Sequence, residues 1–297
     1  MKKVIVIYNP IAGYRKIKDN KKIIKTTLEK TGYQIEWIIT QPVKKQDLTC
    51  LLKNKCELIV VVGGDGTMRE TVSFLIKNKI KTPLAIIACG TANILAQSLG
   101  IPIISTAKAI KFAVSKKPQP ADAMLINRQR IGMVATGIGY DSVFIKGATR
   151  NLKRKFGFLA YVISFLKTFF FYRSHIFKIT VDKKRYYSLA KMVAVFNALS
   201  FGYKGVGKHI SPQDGLLNIS VINPKSFFDI FINGYTILFK GKSILHKKSL
   251  NLTGKKIAIK TKRNKHIQID GEVFKGKNLQ VEVLPKALNI IYEKKFN

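Results

Sequence analysis

Leu58-Ile59-Val60-Val61-Val62-Gly63-Gly64-Asp65-Gly66-Thr67 is the stretch on which the fold turns. Five consecutive Leu, Ile and Val residues describe a strand covered on both faces, the pattern of a parallel sheet. The glycines that follow let the backbone take positive φ and come close to a ligand, and the helical pattern after Thr67 offers free N–H groups and a positive dipole end to a phosphate. Asp65 is at odds with a phosphate loop on charge alone. It makes sense if Mg²⁺ lies between its carboxylate and the phosphates, or if it orients the hydroxyl to be phosphorylated. The plain alternative is a tight strand-to-helix turn with an Asp cap.

The flanks repeat the pattern. Residues 4–8, 33–39 and 84–88 read as strands, with a Lys-rich helix ending near Gly32, a short helix before residue 58, and helices through 92–99 and about 103–115. Apolar strands alternating with helices argue an α/β domain built on a parallel sheet. Two more loops share the logic of the first: Asn9-Pro10-Ile11-Ala12-Gly13 after the first strand, and Ala88-Cys89-Gly90-Thr91-Ala92-Asn93 after the fourth. Ligands of open parallel sheets bind at the carboxyl ends of the strands, so all three loops are expected on one edge.

Lys116-Lys117-Pro118-Gln119-Pro120 breaks both patterns. Beyond it strand-like runs dominate, at 123–127, 131–138, 176–181, 186–196, 216–221, 256–260, 267–270, 279–284 and 288–292, joined by turn signals such as Asp182-Lys183-Lys184 and Asp270-Gly271. Helices at 156–172 and 226–239 interrupt them. The expected architecture is two-domain: an α/β parallel-sheet nucleotide-binding domain over 1–118, and a mostly antiparallel β-sandwich domain over 119–297 whose last strand is free to return to the first domain.

Composition narrows the partners. With 53 Lys and Arg against 16 Asp and Glu, the net charge of +37 predicts attraction to polyanions, whether nucleic acid, an anionic membrane or phosphorylated ligands. Of these bases 44 are Lys, which a Lys-favouring genome would also produce. Cys50, Cys56 and Cys89 are odd in number and form no C-x-x-C, so neither a disulfide framework nor a zinc ribbon is indicated and a reducing cytosol fits. The apolar run 4–8 is shorter than the usual signal-peptide core of about 7–15 residues. The run 156–166 falls short of the roughly 18–20 residues that span a bilayer. No Walker loop is present, since Thr236 stands where the first glycine before Gly241-Lys242-Ser243 would be, and Gly137-x-Gly139 has Ser142 at the third position of a dinucleotide fingerprint. The four histidines match no catalytic motif.

These loops carry a resemblance to the diacylglycerol-kinase-type lipid kinases, a family that includes sphingoid-base kinases and bacterial lipid kinases. Its N-terminal signatures are matched by Asn9-Pro10-x-Ala12-Gly13, Gly63–Thr67 and Gly90-Thr91-Ala92-Asn93; Asp122, Gly157-Phe158-Leu159-Ala160-Tyr161 and Asp270-Gly271-Glu272 continue the match almost to the end. The resemblance implies ATP in a cleft and a lipid hydroxyl as acceptor. It places ATP against Asn9, Thr40, Gly63, Gly64, Asp65, Gly66, Thr67, Gly90, Thr91 and Asn93. Glu272 or Asp270 would take the hydroxyl proton, although Asp270-Gly271 is also a common hairpin turn. Ser211-Pro212-Gln213-Asp214-Gly215-Leu216 resembles the family's structural Mg²⁺ loop, with Asp214 as charged ligand and carbonyls of Ser211 and Leu216 beside it. Ile94 departs from the Asp that many relatives carry there.

The partners implied are a lipid substrate, diacylglycerol-like first, then a sphingoid base or another glycerolipid, and an anionic membrane surface, with no specific nucleic acid. A cytoplasmic enzyme held peripherally on the inner membrane face is the expectation. Residues 142–180 hold eight bases and no acid, and the helix inside, apolar all round, reads as core or as a neighbour of the lipid entrance. Two rival classes remain. An NAD kinase shares Gly-Gly-Asp-Gly, but its later Asn-Glu pair is missing here. A non-catalytic polyanion or membrane binder explains the charge but not three phosphate loops.

Overall fold

A computed structural model describes residues 2–12, 17–40, 47–90, 92–139, 173–198, 211–223 and 250–293. The helices expected at 156–172 and 226–239 lie outside the described residues, as do Gly13 and Thr91. The chain divides into two compact units. Unit 1 comprises Met1–Ala123, Pro212–Asp214 and Leu284–Asn297, and unit 2 comprises Met124–Ser211 and Gly215–Val283.

Unit 1 alternates strands and helices: β1 (Lys2–Tyr8), α1 (Ile17–Lys30), β2 (Tyr33–Ile39), α2 (Cys50–Lys53), β3 (Leu58–Gly63), α3 (Asp65–Lys77), β4 (Leu84–Ala88), α4 (Ile94–Ser98) and α5 (Thr106–Ser115). β1 pairs in parallel with β2 on one side and β3 on the other, and β3 pairs in parallel with β4. The end of the long β14 (Glu272–Ile291) joins β4 at Ile290, also in parallel. Every residue of β3 is buried, which is why it reads as an uninterrupted apolar run, whereas β2 at the edge is only half-buried. Ile24 and Leu28 of α1 and Ala109, Ile110 and Ala113 of α5 share a core cluster with Val4, Val6 and Val60. Their helical spacing is the amphipathic stripe that covers a sheet. α3 starts at Asp65, three residues earlier than the sequence suggests, with Gly64 as its N-cap.

Unit 2 is a mostly antiparallel β-sandwich. Its strands are the end of β5 (Pro118–Ile126), β6 (Arg130–Gly132), β7 (Ala135–Gly139), β8 (His175–Val181), β9 (Lys184–Ala190), β10 (Met192–Phe196), β11 (Leu217–Ile222), β12 (Leu250–Gly254), β13 (Lys256–Ile269) and most of β14. β12, β11, β10, β7, β13 and β14 neighbour one another in that order, all antiparallel. The first half of β13 pairs with β8, its second half with β7, and the register against β14 shifts between Lys260 and Lys265. Such an irregularity lets one strand bend from one layer to the other. Phe177, Ile179, Val195, Ile219, Ile259 and Leu279 fill the space between.

Two expected strands are broken. The run 131–138 splits at Met133 and Val134, whose N–H groups go to the Asp270 carboxylate instead of a ladder. The run 186–196 splits at Lys191. There Gly139, at φ 121, lies so close that a Cβ on it would sit 2.4 Å from the Lys191 carbonyl oxygen. Conversely, the runs 256–260 and 267–270 are one strand, as are 279–284 and 288–292.

Candidate active site

Three loops leave the carboxyl ends of β1, β3 and β4 in unit 1, where β1 runs between strands added on either side and the sheet has its switch point. The backbone ties them at their roots. The Asn9 N–H donates to the Val62 carbonyl at 2.9 Å and the Cys89 N–H to the Gly63 carbonyl at 2.8 Å. Asn9 Nδ2 then donates to Thr67 Oγ1 at 2.8 Å, joining the first loop to the first turn of α3. Thr67 is buried, and a Cβ on Gly63 would lie 2.7 Å from its side chain.

The β3 and β4 loops meet through their glycines. A Cβ on Gly90 would lie 2.7 Å from Gly64 Cα, and a Cβ on Gly64 would lie 3.3 Å from Gly90 Cα. Backbone therefore touches backbone, and no side chain fits between. Asn93 closes the β4 loop: its Oδ1 accepts the Gly90 N–H at 2.8 Å and its Nδ2 donates to the Gly90 carbonyl at 2.9 Å. It sits in the left-handed region at φ 49, which Asn tolerates better than most residues.

Asp65 has a task that sequence reading missed. Its Oδ2 accepts the Asn93 N–H at 2.8 Å and its Oδ1 the Ile94 N–H at 2.7 Å, so the carboxylate clamps the start of α4 to the start of α3. Because Ile94 contributes only its backbone, the departure from Asp at that position leaves the clamp intact. Thr40 is buried directly after β2, its N–H donating to the Tyr8 carbonyl at 2.9 Å. Burial raises the pKa of the Cys89 thiol, which keeps this loop cysteine in its unreactive thiol form.

In unit 2, Asp270 and Gly271 form the two-residue turn between β13 and β14, at φ 44 and 90, and Ile269 pairs with Glu272. The Asp270 carboxylate accepts three backbone N–H groups, from Met133 at 2.7 Å and from Val134 and Ala135 at 2.9 Å. Glu272 is exposed at the start of β14. The two candidate bases thus differ in kind: one is an anchor for the β6–β7 bend, the other projects from a strand end.

The turn at 211–216 carries Asp214, which is exposed, and Gly215 at φ 68. The Pro212 carbonyl accepts the Asp122 N–H at 2.6 Å, and Gln213 Nε2 donates to the Tyr292 hydroxyl at 2.7 Å. Burial pushes the Tyr292 phenol up to about 12, so it remains a donor, reaching the Pro120 carbonyl at 3.2 Å. Asp122, fully buried, accepts the Lys286 N–H at 2.7 Å and so holds the left-handed residue inside β14. Among the described residues no three His, Cys, Asp or Glu side chains are grouped to hold a metal ion. The donors on the 211–216 turn are a carboxylate and backbone carbonyls. An oxygen set with one charge fits Mg²⁺, which keeps much of its own water.

Residues 3–126 match the diacylglycerol kinase catalytic domain, and residues 132–292 match the YegS C-terminal NAD kinase beta sandwich-like domain. The chain belongs to this bacterial, YegS-type branch of the diacylglycerol-kinase-type lipid kinase family. A candidate lipid kinase of Staphylococcus haemolyticus is 29% identical to it over 245 residues, spanning 79% of this chain and 76% of its own. A Synechocystis protein of uncharacterized function is 27% identical over 307 aligned positions, spanning 96% of this chain and 69% of its own. The solved structure of a candidate diacylglycerol kinase from Bacillus anthracis superposes over 100% of this chain and 96% of its own, with a TM-score of 0.80 and 26% identity.

Proposed function

We propose that the chain is an ATP- and Mg²⁺-dependent kinase that moves the γ-phosphate to the hydroxyl of a membrane lipid, with a diacylglycerol-like lipid as the first substrate and a sphingoid base or another glycerolipid next. The observation that carries the reading is the back-to-back approach of Gly64 and Gly90 at the carboxyl ends of β3 and β4, beside the switch point of a parallel sheet. It leaves bare backbone beside the start of α3, the surface a polyphosphate needs. Asn9, Thr40, Gly63–Thr67, Gly90, Thr91 and Asn93 bind and orient ATP. Asp65 holds the β4 loop in place, and Glu272 accepts the hydroxyl proton while Asp270 fixes the turn that presents it. Asp214, with carbonyls of Ser211 and Leu216, holds Mg²⁺. When bound there, the ion would tie the oxygens of this turn together and so support the local structure. We place the enzyme in the cytoplasm, peripheral to the inner membrane face; among the described residues no helix is long and apolar enough to cross a membrane.

The test is transfer of labelled phosphate from Mg·ATP to a panel of lipids in mixed micelles, with NAD and a lipid-free blank alongside. Label in a lipid is the expected result, and it names the acceptor. Label in NAD alone, or in nothing, would sink the lipid-kinase reading and leave the fold standing.

Gly90→Ala tests the loops themselves. The added methyl must displace backbone, at a cost of about 1–3 kcal/mol. The expected result is a lower Tm and nucleotide binding weakened at least about tenfold by titration calorimetry, the equivalent of about 1.4 kcal/mol. Unchanged nucleotide affinity would make the close approach a matter of packing alone.

A further inference from the structure

The sandwich unit exposes a face that its core does not explain. Phe177, Ile179 and Val181 of β8 turn inward and are buried. On the opposite face Ile176, Tyr187 and Leu189 are 63%, 67% and 57% exposed. The ladder sets Ile176 opposite Leu189, Lys178 opposite Tyr187, and Thr180 opposite Arg185. On its other side Lys178 stands opposite Lys260 of β13. Three large apolar or aromatic side chains and three bases therefore share one sheet surface, with the Lys178 ammonium 5.9 Å from the Tyr187 ring centre.

Glu282 of β14 shares this surface, opposite Lys256, and pairs with that lysine at 2.8 Å. β8, β9 and β13 contain no Asp or Glu. Asp182, in the turn between β8 and β9, spends its carboxylate on the N–H groups of Lys255 and Lys256. None of Lys178, Arg185 and Lys260 belongs to an ion pair among the described residues.

We propose that this face docks on the surface of an anionic lipid bilayer. A solvent-facing sheet surface is ordinarily polar, and a cluster of apolar side chains ringed by bases marks a contact site. Tyr187 suits the headgroup level, where an apolar ring and a polar hydroxyl are both satisfied. Ile176 and Leu189 bury apolar surface below it, and the bases meet the anionic lipids, each contributing about fivefold in affinity. A second copy of the chain is disfavoured, because two faces bearing the same bases on chains of net charge +37 repel. Nucleic acid would engage the bases but leave Ile176 and Leu189 without a role. The proposal rests on the lipid-kinase reading for its reason to reach a membrane, but its test needs no turnover.

The full chain is sedimented with phosphatidylcholine vesicles that contain or lack phosphatidylglycerol, beside three variants: K178E/K260E, I176S/Y187S/L189S, and the matched charge change K108E/K111E on exposed lysines of α5. Tm and circular dichroism confirm that each is folded. Expected is salt-sensitive binding to the anionic vesicles only, reduced at least about tenfold by K178E/K260E and by the apolar triple, with a much smaller effect of K108E/K111E. Equal loss in both charge variants would assign binding to general charge and overturn the proposal, as would full binding by the apolar triple. Self-association of the full chain that the triple abolishes would make the occupant a second copy and also overturn it. Phosphate transfer to micellar lipid separates the two readings. Face-dependent vesicle binding without transfer upholds the surface and sinks the kinase, whereas transfer with face-independent binding sinks the surface alone.

Discussion

Glu272→Gln is expected to lower kcat by about 10²–10⁴-fold, the usual cost of removing a positioned general base, with Tm unchanged. Asp270→Asn is expected to do the reverse in order of size. The two residues are neighbours in a hairpin, and Asp270 is built into the fold through three backbone N–H groups from 133–135. Asn adopts the left-handed conformation at position 270 as readily as Asp, so the substitution leaves the turn alone and removes only the charge from the acceptor. One amide oxygen retains part of the set, and the amide NH₂ faces an N–H. The loss is about 2–3 kcal/mol, or a Tm lower by about 4–12 °C. Thermal melts and steady-state kinetics on the same preparations read both quantities. A kcat loss in Asp270→Asn that exceeds the loss in Glu272→Gln, at equal Tm, would exchange the roles. If neither variant slows turnover, the Asp-Gly-Glu stretch is a turn and nothing more.

The same anchor shows where sequence reading stops. β1, β3 and β4 were legible because covered strands of a parallel sheet carry their burial on both faces and so appear as apolar runs. The run 131–138 also reads as one strand, but its break is caused by a carboxylate some 135 positions away, and backbone donors leave no mark on residue identity. The polar stretch Thr261-Lys262-Arg263-Asn264-Lys265-His266 reads as a loop between two strands. β13 runs straight through it, because a strand that changes partners needs an irregular, solvent-tolerant segment where it shifts register. At the candidate site the pattern is the same. Glycines and hydroxyl residues announced the three loops; what holds the loops together is Asp65 reaching two main-chain N–H groups, and Gly64 against Gly90, neither of which any spacing encodes.

Asp65→Asn is accordingly expected to lower kcat/KM by at least about 100-fold, since a misplacement of about 1 Å at a reacting centre costs that much, in a protein that stays folded. The amide keeps one acceptor and turns a donor toward the N–H of Asn93 or Ile94. One charge-assisted hydrogen bond is lost, about 1.5–3 kcal/mol, and Tm falls by about 3–12 °C. The division between KM and kcat then tells what the carboxylate does. A clamp acts through the Gly90–Asn93 loop, so its loss should fall mainly on KM for ATP and on direct nucleotide affinity. A carboxylate that also faces the reacting phosphate or the acceptor hydroxyl would lose kcat at saturating ATP. Retained turnover with a lowered Tm would leave Asp65 as a structural tie between α3 and α4 and remove it from the site. The clamp geometry favours the first outcome, because both carboxylate oxygens already serve main-chain donors of the neighbouring loop.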